Sequence, residues 1–133
     1  MNTPSRILIV EDEPLIGMMM QDFLEILGVE HVVLAEDVAR ALTAIDACQF
    51  DAAILDVNLG RGARSDAVAE RLASLGVPFA AASGDPSPPA GWGVRPMLSK
   101  PFTLSDVERM LAVLAAAGSP RVVSAEASAV LAR

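Results

Sequence analysis

Several residue types are scarce in this chain of 133 residues, which has no tyrosine and only one tryptophan, one cysteine and one histidine. The single cysteine, Cys48, excludes a disulfide within the chain and is typical of proteins from a reducing compartment. The single histidine, His31, has no second histidine or cysteine near it in the sequence, which argues against a zinc site. With 53% hydrophobic residues, the chain is expected to be stabilised by a packed core.

An excess of positive charge is also lacking. The formal net charge at pH 7 is −7, whereas a protein surface that binds nucleic acid needs a basic face. No apolar run approaches the length of a membrane span, and the first residues lack the apolar segment of a signal peptide. We therefore expect a cytoplasmic protein with no DNA partner and no membrane insertion.

Short apolar runs alternate with segments of helical periodicity along the chain. The runs predict five buried strands, at residues 7–10, 31–35, 52–56, 78–83 and 97–99. Between the first four runs, apolar residues recur at helical spacing, and Gly28 and Gly76 mark two helix ends. Asp37 and Ser65 stand where they can cap the second and third helices. This alternation predicts an α/β domain with a parallel sheet.

The pattern breaks between the fourth and fifth strands. Residues 84–93 contain three prolines and three glycines, which is too many for an ordinary helix, so we expect a loop or a single turn there. A last helix is predicted to begin near Thr103 or Ser105, with Ser105 and Glu108 as a capping box, and to end at Gly118. We therefore divide the chain into a domain at 1–118 and a flexible tail at 119–133.

Charged or hydroxyl side chains follow four of the predicted strands. Because the carboxyl ends of parallel strands meet at one edge of a sheet, we expect these side chains to lie together. Clustered carboxylates repel each other unless a cation intervenes, and oxygen ligands suit Mg²⁺. A lysine and a hydroxyl beside that metal can hold an anion, which indicates phosphoryl chemistry. The residues concerned are Glu11, Asp12, Asp56, Ser83 and Lys100, the only lysine.

In order and spacing, these residues resemble the receiver domains of bacterial two-component response regulators. The resemblance spans residues 6–117 and is carried by residues 7–13 (ILIVEDE), 53–59 (AILDVNL), Ser83 and 100–102 (KPF). It implies a flavodoxin-like, doubly wound sheet of five parallel strands in the order 2-1-3-4-5. The fourth helix of that fold is expected to be degenerate or missing here, because its place falls on the segment rich in proline and glycine.

A finer resemblance is to the single-domain alphaproteobacterial receivers of the FAT GUY type. It is carried by residues 77–79 (VPF), by Ser83-Gly84 and by residues 58–60 (NLG). This chain departs from that type in two places. Ser83 stands where the type usually has threonine, and Asp85 stands where it has an aromatic residue.

The resemblance implies a phosphoacceptor signalling domain that is not an enzyme in the ordinary sense but catalyses its own phosphorylation and dephosphorylation. Its partners are expected to be a sensor histidine kinase or histidine phosphotransferase and an unknown downstream protein. The implied roles are Asp56 as phosphoacceptor; Glu11, Asp12, Asp56 and the backbone carbonyl of Asn58 as Mg²⁺ ligands; Ser83 and Lys100 as phosphoryl-binding residues; and Asn58 and Asp85 as residues that tune the phosphoryl lifetime.

Two further positions depart from the usual receiver pattern. Glu11 replaces the commoner aspartate, so its side chain is one methylene longer. Met97 occupies the fifth-strand position where receivers commonly have an aromatic switch residue, and a thioether has no ring face with which to gate a cavity. We therefore expect residues 84–95 to carry the output, through a change in the exposure of Trp92.

Three functions are compatible with the sequence. The leading one is a stand-alone phosphoacceptor receiver, because residues 119–133 leave no room for a DNA-binding output domain. The second is an aspartyl-phosphate hydrolase of the haloacid dehalogenase kind. Those enzymes have a second acid two residues after the nucleophile, and the residue at that position here is Asn58, which argues against this function. The third is a phosphorylation-independent interaction module, which the altered region from Ser83 to Met97 favours. Separately from these functions, Ser83 can serve only as the cap of a turn before Gly84.

Overall fold

The protein is described here by a computed structural model, which covers residues 3–85 and 87–131, and from residue 118 onward only the backbone. Five strands and four helices alternate along most of the chain. The strands are β1 (Arg6–Val10), β2 (His31–Ala35), β3 (Ala52–Asp56), β4 (Phe79–Ser83) and β5 (Met97–Ser99); the helices are α1 (Pro14–Ile26), α2 (Val38–Ala47), α3 (Asp66–Ser74) and α4 (Leu104–Leu131).

All five strands are parallel and form one sheet in the order β2-β1-β3-β4-β5, which confirms the predicted topology. The three central strands are covered on both faces, which is why they appear as continuous apolar runs in the sequence. One face packs against α2 and α3 around Leu8, Leu55 and Phe79. The other packs against α1 and α4 around Ile9 and Ile54. Within the described residues, none of the helices has both the length and the apolar character needed to cross a bilayer.

The helix starts agree with the sequence in part. Asp37 caps α2 as predicted, since its carboxylate accepts a hydrogen bond of 2.7 Å from the Arg40 backbone N–H. The prediction of Ser105 and Glu108 as a capping box is wrong. Instead, the Thr103 hydroxyl accepts from the Asp106 backbone N–H at 3.2 Å, and the Asp106 carboxylate accepts from the Thr103 N–H at 2.8 Å. Both pairs have the spacing of a capping box, and α4 begins early enough to use the first.

Helix α4 continues past Gly118, where it was predicted to end. One glycine in a helix costs only about 1 kcal/mol relative to alanine, and the neighbouring residues 115–117 are all alanine, the strongest helix former. The flexibility of the tail at 119–133 stays a prediction, because its side chains lie outside the described residues.

The segment between β4 and β5 contains no helix in its described residues, 84, 85 and 87–96, which confirms the expected loss of the usual fourth helix. It is nevertheless anchored in the core by Trp92, whose side chain is only 4% exposed. The indole packs edge-on against Phe79, with ring centroids 5.9 Å apart, and the Arg95 guanidinium lies 4.0 Å from the centre of the Phe79 ring. The indole N–H also donates a 2.6 Å hydrogen bond to the Asp66 carboxylate at the start of α3.

We predict that Trp92→Ala lowers the free energy of unfolding by about 3–5 kcal/mol, because it removes a buried aromatic side chain from the core. Val94→Ala is the matched control, since Val94 lies in the same segment and is fully exposed. Urea unfolding followed by circular dichroism measures both variants. Equal stability of the two variants would contradict the anchoring role of Trp92.

Candidate functional site

The charged residues predicted to meet do lie at one edge of the sheet. Glu11 and Asp12 follow β1, Asp56 is the last residue of β3, Ser83 ends β4, and Lys100 follows β5. The parallel register brings these strand ends together, because Asp56 is paired with Ala82 and Ser83 with Ser99. The Lys100 backbone N–H donates a 3.0 Å hydrogen bond to the Ser83 carbonyl, which extends the ladder by one residue and places the lysine.

Three carboxylates form the acidic part of this edge. One oxygen each from Glu11, Asp12 and Asp56 lies within 4.8 Å of the others. Glu11 and Asp56 are buried, and Asp12 is half-buried. A set of carboxylate oxygens at this spacing suits a hard divalent cation such as Mg²⁺, which prefers oxygen ligands and keeps part of its water shell. The donor set therefore fits the metal that the sequence predicts.

Lys100 connects two of these acids. Its ammonium Nζ donates to Glu11 Oε1 at 3.0 Å and lies 3.1 Å from Asp56 Oδ2, and its side chain is only 22% exposed. The second Glu11 oxygen accepts a 3.0 Å hydrogen bond from the Glu13 backbone N–H. Glu11, the longer acid, is therefore fixed at both oxygens, and the single lysine of the chain partly balances the cluster.

Burial dominates the ionisation of this site. It raises the pKa of Asp56 to about 7; the hydrogen bond from Lys100 opposes that shift, and the charge of Glu11 adds to it. For Lys100 burial alone lowers the pKa, but the bonds to Glu11 and Asp56 outweigh it, so the pKa of Lys100 is raised. The lysine is therefore charged at neutral pH, whereas the metal-free Asp56 carboxyl is close to its titration midpoint.

The backbone of Asp56 is fixed by a residue whose role the sequence did not indicate. Ser65 precedes α3 and was predicted to cap it, but its side chain makes no capping bond. Instead, the fully buried Ser65 hydroxyl donates a 2.7 Å hydrogen bond to the Asp56 carbonyl oxygen. The cap prediction is wrong because burial leaves this hydroxyl beside the end of β3. A small polar residue between a strand and a helix was the only available signal.

The remaining predicted residues lie around this edge. The Ser83 hydroxyl accepts a 3.0 Å hydrogen bond from the Asp85 backbone N–H, and the Asp85 carboxylate accepts one of 2.9 Å from Ser87 N–H. Ser83 therefore does cap the turn in this structure. Asn58 is exposed and pairs with Arg64 across the loop after β3. Met97 is half-buried and packs against the same core cluster as Trp92.

Comparison with known proteins extends these observations. Residues 7–75 match the family model of the response regulator receiver domain. The solution structure of SdrG from Sphingomonas melonis Fr1 is 47% identical over 86% of this chain and 98% of that chain, with a TM-score of 0.75. The BeF3-activated conformation of SdrG from Pseudomonas melonis Fr1 is 46% identical over 86% and 99% of the two chains, with a TM-score of 0.73.

A third structure, the response regulator PhyR from Brucella abortus, is 29% identical over 99% of this chain and 53% of that chain, with a TM-score of 0.71. A comparison with curated proteins gave no match. The family model spans more than half of this chain, and the SdrG structures cover most of it. This chain therefore belongs to the response regulator receiver domain family, whose members are signalling domains of two-component systems.

Proposed function

We propose that this receiver domain accepts a phosphoryl group on Asp56 from the phosphohistidine of a sensor histidine kinase or histidine phosphotransferase, and then signals through contact with another protein. The observation that carries this proposal is Lys100, whose ammonium lies 3.0 Å from Glu11 and 3.1 Å from Asp56 at the acidic edge. A buried carboxylate with a lysine beside it is a nucleophile with a partner for the incoming phosphoryl oxygens.

In the proposed reaction, an Asp56 carboxylate oxygen attacks the phosphorus, and the bond from phosphorus to the donor histidine nitrogen breaks. Lys100 turns from the carboxylates to a phosphoryl oxygen. The Ser83 hydroxyl, which accepts a hydrogen bond from the Asp85 N–H, donates its own proton to another phosphoryl oxygen. Catalysis of this kind consists mainly of positioning and charge neutralisation, which these residues supply.

The residues that hold Mg²⁺ in this proposal are Glu11, Asp12 and Asp56 through their carboxylates and Asn58 through its backbone carbonyl. The bound metal supplies positive charge that offsets the acids and the phosphoryl oxygens. Asn58 and Asp85 lie two residues beyond Asp56 and Ser83, and we assign to them the tuning of water attack on the phosphoryl group. We also assign the protein to the FAT GUY type, on the residues 58–60, 77–79 and 83–84.

The output route follows from what contacts Asp56. Ser65 holds the Asp56 carbonyl, and the next residue, Asp66, accepts the hydrogen bond from Trp92. The Asp66 carboxylate also accepts a 2.8 Å hydrogen bond from the Arg64 Nε–H. Phosphorylation of Asp56 therefore acts on the segment between β4 and β5 through the start of α3. This route needs no aromatic residue at position 97, where this chain has methionine. In this proposal, phosphorylation of Asp56 shifts that segment to a second arrangement.

A second candidate is an interaction module that works without phosphorylation. Receivers usually signal through an aromatic residue on the fifth strand and a helix between the fourth and fifth strands. This chain has Met97 in place of the aromatic residue and no helix in the described part of the segment between β4 and β5, and both differences favour this candidate. It differs from the first candidate in one testable respect, since it requires no phosphate on Asp56.

The phosphoacceptor is tested with a small acyl phosphate or amidophosphate donor and Mg²⁺, followed by mass spectrometry of the intact protein. We expect one phosphate on the wild type and on Asp51→Asn, and none on Asp56→Asn. Asp51 is the matched control, since it precedes β3 at the other end of the strand and bonds the Ser5 and Arg6 backbone. Phosphate on Asp56→Asn would disprove the assignment of Asp56 as the phosphoacceptor. So would a wild type that takes up no phosphate from a small donor or from a cognate kinase.

The raised pKa of Asp56 predicts a pH-dependent stability of the metal-free protein. In the unfolded chain this carboxyl has its ordinary pKa of 3.8, against about 7 in the folded protein. The folded state therefore binds more protons between these values, and the free energy of unfolding falls as pH rises from about 4 to about 7. The contribution is on the order of a few kcal/mol.

Urea unfolding with a chelator present, at several pH values, measures this slope. Asp56→Asn has no titrating group at this position, so the difference between wild type and variant isolates the contribution of Asp56. If the free energy of unfolding depends on pH in the same way in both proteins, the raised pKa of Asp56 is refuted.

The output route is tested by the indole N–H resonance of Trp92, the only tryptophan of the chain. We expect beryllofluoride with Mg²⁺ to shift this resonance in the wild type and in Asp46→Ala, but not in Asp66→Ala. Asp46 is an exposed acid that pairs with Arg71 at 2.6 Å and serves as control. Fluorine NMR confirms occupancy of Asp56 in each protein. An occupied wild type with an unmoved indole resonance would exclude this route.

A further inference from the structure

Gly60 lies directly against one of the three clustered acids. It belongs to the loop between β3 and α3 and has a φ of +72°. A Cβ built on Gly60 would stand 2.8 Å from Asp12 Oδ2, which is closer than real Cβ contacts come. Apart from the neighbours of Gly60 in the chain, the only other atom of the described residues within 4 Å of that Cβ is the Asp12 Cγ, at 3.9 Å. The Asp12 carboxylate therefore occupies space that a side chain at Gly60 would fill.

Asp12 differs from the other two acids in how it is held. Glu11 accepts hydrogen bonds from Lys100 and from the Glu13 backbone, and Asp56 is paired with Lys100. Among the described residues, no donor forms a hydrogen bond with the Asp12 carboxylate. No hydrogen bond from this part of the chain therefore fixes the direction of the Asp12 carboxylate, and Gly60 lies so close to it that a Cβ there would collide with Oδ2.

We propose that Gly60 is a positioning residue of the metal site, which lets the Asp12 carboxylate turn toward Glu11 and Asp56. The inference rests on the proposed function, since it concerns the same Mg²⁺. Gly60 is not a ligand, but residues around the ligands of a metal site often change its affinity for the metal.

An added methyl group at Gly60 acts differently in the metal-free and metal-bound protein. Without metal, the Asp12 carboxylate is the end of a side chain and can rotate away from the methyl at little cost. With metal bound, the same rotation moves the ligand oxygen away from the ion. The steric penalty therefore appears in the affinity for Mg²⁺, not in the folding of the metal-free domain.

Backbone strain must be separated from this contact, because alanine is disfavoured at any positive φ. Gly62 provides the matched control. It lies two residues away in the same loop with a φ of +77°, and apart from its chain neighbours no atom of the described residues lies within 4 Å of the Cβ built on it. Gly60→Ala and Gly62→Ala therefore introduce the same methyl group and similar strain, and only the first meets the Asp12 carboxylate.

The experiment is a Mg²⁺ titration followed by NMR, together with thermal unfolding of the metal-free proteins. We expect both variants to lose similar stability, and only Gly60→Ala to bind Mg²⁺ more weakly, by about 10- to 100-fold. Equal Mg²⁺ affinity in Gly60→Ala and wild type would overturn the inference, as would an equal loss in both variants. A wild type that binds no Mg²⁺ would overturn the proposed function as well.

A second pair of variants covers the case in which Gly60→Ala fails to fold. Asparagine tolerates positive φ better than alanine and still carries a Cβ, so Gly60→Asn and Gly62→Asn reduce the strain but keep the contact. We expect Gly60→Asn to show the weaker Mg²⁺ binding and Gly62→Asn to bind as the wild type does. Wild-type affinity in Gly60→Asn would overturn the inference.

Discussion

Charge balance at one edge of the sheet is the constraint on which the rest of the site depends. Three carboxylates whose oxygens lie within 4.8 Å repel each other, and burial of Glu11 and Asp56 strengthens that repulsion. The ammonium of Lys100 reduces it, and its place beyond β5 is fixed by the backbone bond to Ser83. Burial raises the pKa of Asp56 in spite of Lys100, and the charge of Glu11 adds to that shift.

The same edge is connected to a region where the fold has lost a helix. The buried indole of Trp92 packs where a helix is absent. It contacts Phe79 in β4 and donates a hydrogen bond to the Asp66 carboxylate at the start of α3. Ser65 holds the Asp56 carbonyl and Asp66 follows it in the chain, so the loop is attached to the end of β3 through two adjacent residues. The expected change in the exposure of Trp92 therefore starts from a buried indole, which is 4% exposed.

The sequence predicted the parts of this structure that follow from periodicity and from parallel strands. Glu11, Asp56 and Lys100 follow apolar runs, and parallel strand ends meet, so their convergence could be predicted. Long-range contacts of single side chains could not. The bond from Ser65 to the Asp56 carbonyl, the burial of Trp92 and the approach of Gly60 to Asp12 depend on how loops fold over the sheet edge. The end of the last helix was misplaced because one glycine is a weak stop among alanines.

We propose that Lys100 exchanges a carboxylate partner for a phosphoryl oxygen when Asp56 is phosphorylated, and the proposed signalling depends on this exchange. A crystal structure of the protein with beryllofluoride and Mg²⁺ would show whether the exchange takes place. We expect beryllium on an Asp56 carboxylate oxygen, with the Lys100 ammonium and the Ser83 hydroxyl each donating to a fluoride. If beryllofluoride is bound at Asp56 while Lys100 keeps both carboxylates and Ser83 donates to no fluoride, the exchange is refuted.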